Sequence, residues 1–265
     1  MGLFDMFKKK EDKGDSKALD LERFPEEPRD DFKSKEYYVG HLQRIDSYLA
    51  EIESKVQDNF DSRSNFYTIR DGHLNQRVCL LYVLHADMQE VRDAALRYVL
   101  NIRELSQFDG YLTGNMVYRA LAFATLFDFA LDDISFLQDE LVDERYVDAS
   151  MDLLRNALFK EQATTNKDFY FKDKGYFGDV TTGVDGLMLA IRAKGQKDRT
   201  AEFVKFLKNV KEKHYKRLLK HYEEVGDQRY VYTGSYDFRF TAVAKALDID
   251  KETLSDSKFI AVDLM

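Results

Sequence analysis

The chain has 265 residues and is 44% apolar, enough to bury a substantial core in one large domain or two small ones. Its formal net charge of −8 argues against general nucleic-acid affinity, which needs a basic surface to displace counterions, and favours a basic partner. The single cysteine, Cys79, excludes an internal disulfide and fits a reducing cytoplasm, and no run approaches the roughly 20 apolar residues of a membrane span.

Residues 1–30 read as a mobile charged tail that ends in an extended linker at Pro25 and Pro28. Its opening MGLFDMFKKK is not a secretory signal. Leu3, Phe4 and Phe7 offer too little apolar area for stable membrane anchoring. No proline follows Pro28, which removes one obstacle to long helices. Tyr38, Leu42, Ile45, Leu49, Ile52 and Val56 recur at three- and four-residue steps and predict an amphipathic helix, with Glu51 and Lys55 paired on its wet side. A polar break at 58–65 precedes a helix over 75–86, and a corner near Asp87 leads to another over 89–105. The two glycines of 108–114 suggest a boundary between a helical domain over 31–110 and a second over 114–265.

Beyond it the pattern predicts one long helix over 118–141, then helices over 146–159, 180–193, 198–224 and 236–247, and a short turn over 251–256. Strand-type runs are confined to Phe169–Phe171 and Tyr230–Tyr232. The expected architecture is therefore all-α, two helical domains built from antiparallel helix pairs.

No assembled catalytic set is present. There is no H-E-x-x-H and no cysteine pair. His214 and His221 share a helix face with Phe203, Phe206, Leu207 and Val210, a packing environment that lacks the third ligand a metal needs. Gly234-Ser235-Tyr236 lacks the second glycine of a nucleophile elbow, and Gly175–Gly178 lacks the lysine of a phosphate loop. The expectation is a non-enzyme that needs no cofactor or metal.

The strongest physical signal is electrostatic. Residues 128–152 carry nine acids against one base, Arg145. On a continuous helix, Phe127, Ala130, Leu131, Ile134, Leu137 and Leu141 would form one apolar arc. Asp128, Asp132, Asp139 and Asp143 would line the far side. Asp133, Glu140 and Glu144 would form a second stripe, with Phe136 between the two as an anchor for a basic partner. Helix 198–224 is of opposite sign, with Lys205, Lys208, Lys211, Lys213, Lys216, Arg217 and Lys220 on a wet face suited to an acidic helix or a neighbouring subunit.

The C-terminal third carries an ordered set of motifs. These are His214-Tyr215 on a long helix, the turn Gly234-Ser235-Tyr236, the Ala-rich stretch around Ala242, the close Leu247-Asp248-Ile249-Asp250, and the ending Val262-Asp263-Leu264. Near the start, Arg29-Asp30-Asp31-Phe32 opens the first helical region. In this order the chain resembles the PoNi immunity proteins, which neutralise PoNe-type DNase toxins in bacterial competition. The pattern departs from that family at Ser235-Tyr236, where Tyr-Trp is usual, and at Arg239, where an acid is usual.

The resemblance implies an all-helical cytoplasmic inhibitor that binds a cognate toxin and blocks its active site or its access to DNA. In that reading Tyr215, Gly234, Tyr236, Ala242, Asp250 and Asp263 are structural motif residues. The acids Asp132, Asp133, Asp139, Glu140, Asp143 and Glu144, with Phe136, are the partner-binding candidates. The alternative is a helical scaffold or adaptor with no toxin partner.

Overall fold

The computed structural model describes residues 20–24, 26–58, 63–107, 112–138, 149–160, 181–210, 216–225 and 234–265. Every regular element among them is helical. In chain order these are α1 (Lys35–Asp58), α2 (Arg63–Val83), α3 (Met88–Leu105), α4 (Gly114–Phe127), a single turn α5 (Leu131–Ile134) running into a 3-10 turn over Ser135–Gln138, and α6 (Ala149–Phe159). They continue with α7 (Thr181–Arg192), α8 (Gln196–Val210), α9 (Lys216–Val225), α10 (Phe238–Ala246), the single turn α11 (Lys251–Leu254) and a closing 3-10 turn over Val262–Leu264. The two strand-type runs lie outside the described residues. No helix among the described residues is long and apolar enough to cross a membrane.

Successive helices pack as neighbours: α1 on α2, α2 on α3, α3 on α4, and α7 on α8. The exception is α10, which returns from the end of the chain to pack on α4 and α6. This makes α4 the central helix, and its sequence GNMVYRALAFATLF is apolar nearly all round. Only Asn115 and Arg119 on it are not fully buried, and at i and i+4 they share one face. One apolar cluster runs from Phe24 to Leu264 and includes residues on both sides of the 108–114 segment. Across it Tyr98 of α3 meets Phe123 of α4 edge-on at 5.2 Å, and Phe123 meets Phe238 of α10 at 5.5 Å.

Helix starts follow side-chain chemistry. Asp87, Thr113, Asp237 and Asp250 cap α3, α4, α10 and α11, each accepting from a backbone N–H of the first turn. The ends of α2 and α10 do not use glycine. After α2, His85 takes the left-handed conformation at φ 55°. Its N–H bonds to Tyr82 O at 3.2 Å, and the Ala86 N–H bonds to Leu81 O at 3.0 Å. After α10, Asp248 does the same at φ 56°, with Asp248 N–H to Lys245 O and Ile249 N–H to Ala244 O, both at 3.0 Å. Both are Schellman closures with a side chain where glycine is usual.

The long helix expected over 118–141 does not form. It starts earlier, at Gly114, and stops at Phe127, because Asp128 adopts the left-handed conformation at φ 47° and turns the chain back. The turn buries Phe129, whose ring stacks on Phe127 at 6.1 Å. The expected apolar arc is thereby broken, since Leu131 is 62% exposed while Ile134 and Leu137 are buried. Helix 198–224 is described as α8 and α9, with 211–215 outside the described residues.

Gly72 lies inside α2, is exposed, and a Cβ there would meet no atom within 4 Å. Gly72→Ala is therefore expected to raise stability by about 0.5–1 kcal/mol through reduced chain entropy in the unfolded state, read as a higher urea midpoint at unchanged slope.

Candidate functional site

The acidic corner begins where α4 ends. Arg92 of α3 donates from Nε to the Phe127 carbonyl at 3.2 Å and stands 5.3 Å from the Phe129 ring centroid, so one guanidinium clamps both sides of the turn. Asp128 projects outward with its side chain 87% exposed, and Lys245 of α10 approaches it only to 3.9 Å. Leu131 and Asp132 are exposed and Asp133 is half-exposed. The corner thus presents a leucine between carboxylates, on a base fixed by Phe129, Ile134 and Leu137.

Phe136 stands in the 3-10 turn that follows α5. It is half-buried and packed against the core, because the 3-10 turn rotates it inward. Asp139, Glu140, Asp143 and Glu144 lie outside the described residues.

The motif residues gather elsewhere, in a clasp between the two ends of the chain. Gly234 has φ +103°, and a Cβ there would sit 2.5 Å from Val83 Cγ2, so both backbone conformation and space demand glycine. The next residue, Ser235, donates its N–H to Asp30 Oδ2 at 2.8 Å and its hydroxyl to Lys258 O at 2.6 Å. Asp30 is buried and its other oxygen accepts from Phe32 N–H at 2.8 Å. Tyr236 donates its hydroxyl to Arg29 O at 3.1 Å and meets Tyr82 edge-on at 5.0 Å.

Arg29 is the centre of the clasp. Its N–H bonds to Val83 O and its Nε to Tyr82 O, both at 2.9 Å. Its guanidinium lies 4.4 Å from the Tyr82 ring centroid and pairs with Asp263 at 2.9 Å. The Tyr82 hydroxyl donates to the same Asp263 carboxylate. Burial, reinforced by that carboxylate, pushes the Tyr82 phenol well above its ordinary range. Lys258 adds an outer pair with Asp31 at 2.8 Å.

Of the remaining motif residues, Ala242 is fully buried in α10 and Asp250 caps α11. Tyr215 and His214 lie outside the described residues, as does the side chain of His221. Cys79 is half-buried. Arg239 finds partners of its own: Nε and NH2 reach Asp237 at 3.0 and 2.5 Å, and NH1 donates to Asn115 Oδ1 at 2.7 Å. Burial opposes ionisation of Asp237, but the Arg239 guanidinium outweighs it and holds the carboxyl below its usual range. That pair joins α10 to the polar face of α4.

A second buried polar group lies against the same face of α4. Asp71 of α2 is buried with Oδ1 unpartnered, and Arg119 stays 3.9 Å from its other oxygen. Burial raises its carboxyl above the usual range, since Tyr98 and Arg119 compensate only in part. Among the described residues no group of three or more histidines, cysteines or carboxylates is placed to hold a metal ion.

No family model, curated protein or solved structure matches the chain.

Two outcomes follow from this geometry. Gly234→Ala is expected to cost about 2–4 kcal/mol, from left-handed strain and the clash with Val83, measured by denaturant unfolding. Asp71 has a folded pKa above its unfolded one. Its contribution to stability is therefore intact below about pH 4 and lost as pH rises through the raised value. Relative to wild type, Asp71→Asn should gain stability progressively between about pH 4 and the raised value and level off above it, and parallel urea midpoints across pH would contradict the assignment.

Proposed function

We propose that the chain is a bacterial immunity protein of the PoNi type, which binds a cognate DNase toxin and neutralises it in the cytoplasm. The observation that carries the reading is the clasp. Arg29, Asp30, Gly234, Tyr236 and Asp263, which carry the resemblance, form one interlocked set of contacts across the two ends of the chain. Residues that meet this way are those a family would share for its fold, while the binding surface is free to vary with each toxin.

The acidic corner supplies the binding surface in this proposal. Enzymes that cut DNA need a basic groove for the phosphate backbone, and a rigid acidic protrusion competes for that groove. Asp128, Asp132 and Asp133 furnish the field, and Leu131 is the exposed apolar residue among them. The acids of 139–152 extend the same charge in sequence. Such an inhibitor acts by occupation and needs no cofactor, metal or direct nucleic-acid contact.

Co-expression with a toxin encoded by the neighbouring gene tests the reading. Wild-type protein should protect the cell. Asp128, Asp132 and Asp133 all changed to Lys should slow association with the toxin by about tenfold at low salt, and less at high salt. Association that is equally fast for both proteins at every salt concentration would remove the corner from the mechanism.

A further inference from the structure

Four large apolar side chains are exposed among the described residues: Met88, Leu131, Leu189 and Val204. Two of them, Leu189 and Val204, belong to the α7–α8 hairpin. On α8 the inner face is Phe203, Phe206, Leu207 and Val210, all buried. The outer face is Lys197, Ala201, Val204 and Lys208, all exposed and spaced by four, three and four residues, which places them in one stripe. Lys205 borders the stripe with its side chain 63% exposed and reaches Glu202 only at 3.5 Å. Leu189 of α7 is half-exposed on the partner helix.

A lysine face with an apolar centre sets two demands on an occupant. Phosphates would meet the lysines but leave the apolar centre uncovered, and the stripe offers no aromatic ring for a base to stack on. An apolar surface alone would bury the ammonium groups unpaired. An acidic element tipped with an apolar side chain meets both demands. The corner at 128–132 of this same chain is such an element, with Leu131 the most exposed large apolar residue described and Asp128 and Asp132 beside it.

We infer that the outer face of α7–α8 is a docking surface for the acidic corner of a second copy of this chain. The contact is heterologous, because the two patches differ, so copies join head to tail and either close into a ring or extend. Self-association of this kind covers the corner with a second copy and leaves it to be released by a stronger basic competitor. The self-association itself does not depend on the toxin reading.

Sedimentation velocity on the full-length protein over a wide concentration range tests this. Wild type should associate reversibly, and less so as salt rises. Lys205→Glu with Lys208→Glu in one protein, and Asp128→Lys with Asp132→Lys in another, should each weaken association by about tenfold or more. An equimolar mixture of the two should associate again, because each supplies the charge the other lacks. Val204→Asp, which leaves the lysines in place, should also weaken association, and far-ultraviolet circular dichroism confirms that each variant keeps its helices. A wild type that remains monomeric throughout overturns the inference. So does a mixture that stays monomeric while wild type associates, since that identifies a symmetric contact or a different surface. The lysine variants keep the acidic corner, so loss of their self-association with unchanged toxin binding separates this inference from the proposed function.

Discussion

The guanidinium of Arg29 does the work that closes this fold. Helix α2 ends in the interior, where its Schellman closure partners Leu81 O and Tyr82 O and leaves Val83 O to be met from outside the helix. Arg29 meets Val83 O through its own N–H and adds its Nε as a second donor to Tyr82 O. A cation at a helix C-terminus is also favoured by the helix dipole. The same side chain covers the Tyr82 ring and pairs with Asp263, so three distant segments meet on one residue. The glycine at 234 follows from this, because the chain must pass against Val83 with no room for a Cβ.

The arrangement ties the polar chemistry of the molecule to its central helix. Apolar on nearly every side, α4 keeps two polar positions, Asn115 and Arg119, that face Arg239 and Asp71. Buried polar groups of this kind fix how neighbouring helices seat when they are satisfied, and cost stability when they are not. Arg239 with Asp237 is the satisfied case and Asp71 the partly satisfied one. At its far end the same helix supports the acidic corner, so the surface proposed for partner binding stands on the most buried element described.

Much of this was legible in the sequence and some was not, for physical reasons. Helices α1, α3 and α10 were readable from apolar periodicity, α3 also from the corner near Asp87 and α10 from the turn at Gly234. Helix ends were harder, since the stops at His85, Asp128 and Asp248 use left-handed residues that are not glycine. A reading that looks for glycine runs past Asp128 and draws a helix to Leu141. The exposed Leu131 and the inward Phe136 then change places with what a continuous helix would give. Arg29, Asp30, Gly234, Tyr236 and Asp263 were visible as motif residues. Their meeting was not, because Asp30 and Ser235 lie 205 residues apart and local pattern carries no sign of that pairing.

A double-mutant cycle on Arg29 and Asp263 tests the account most directly. Arg29→Met, Asp263→Asn and the double variant would be compared with wild type by equilibrium urea unfolding. If the clasp closes the fold as described, the two single losses overlap, and the coupling energy exceeds about 0.5 kcal/mol. Losses that add within about 0.3 kcal/mol would mean that the two ends are held independently, and would contradict the account.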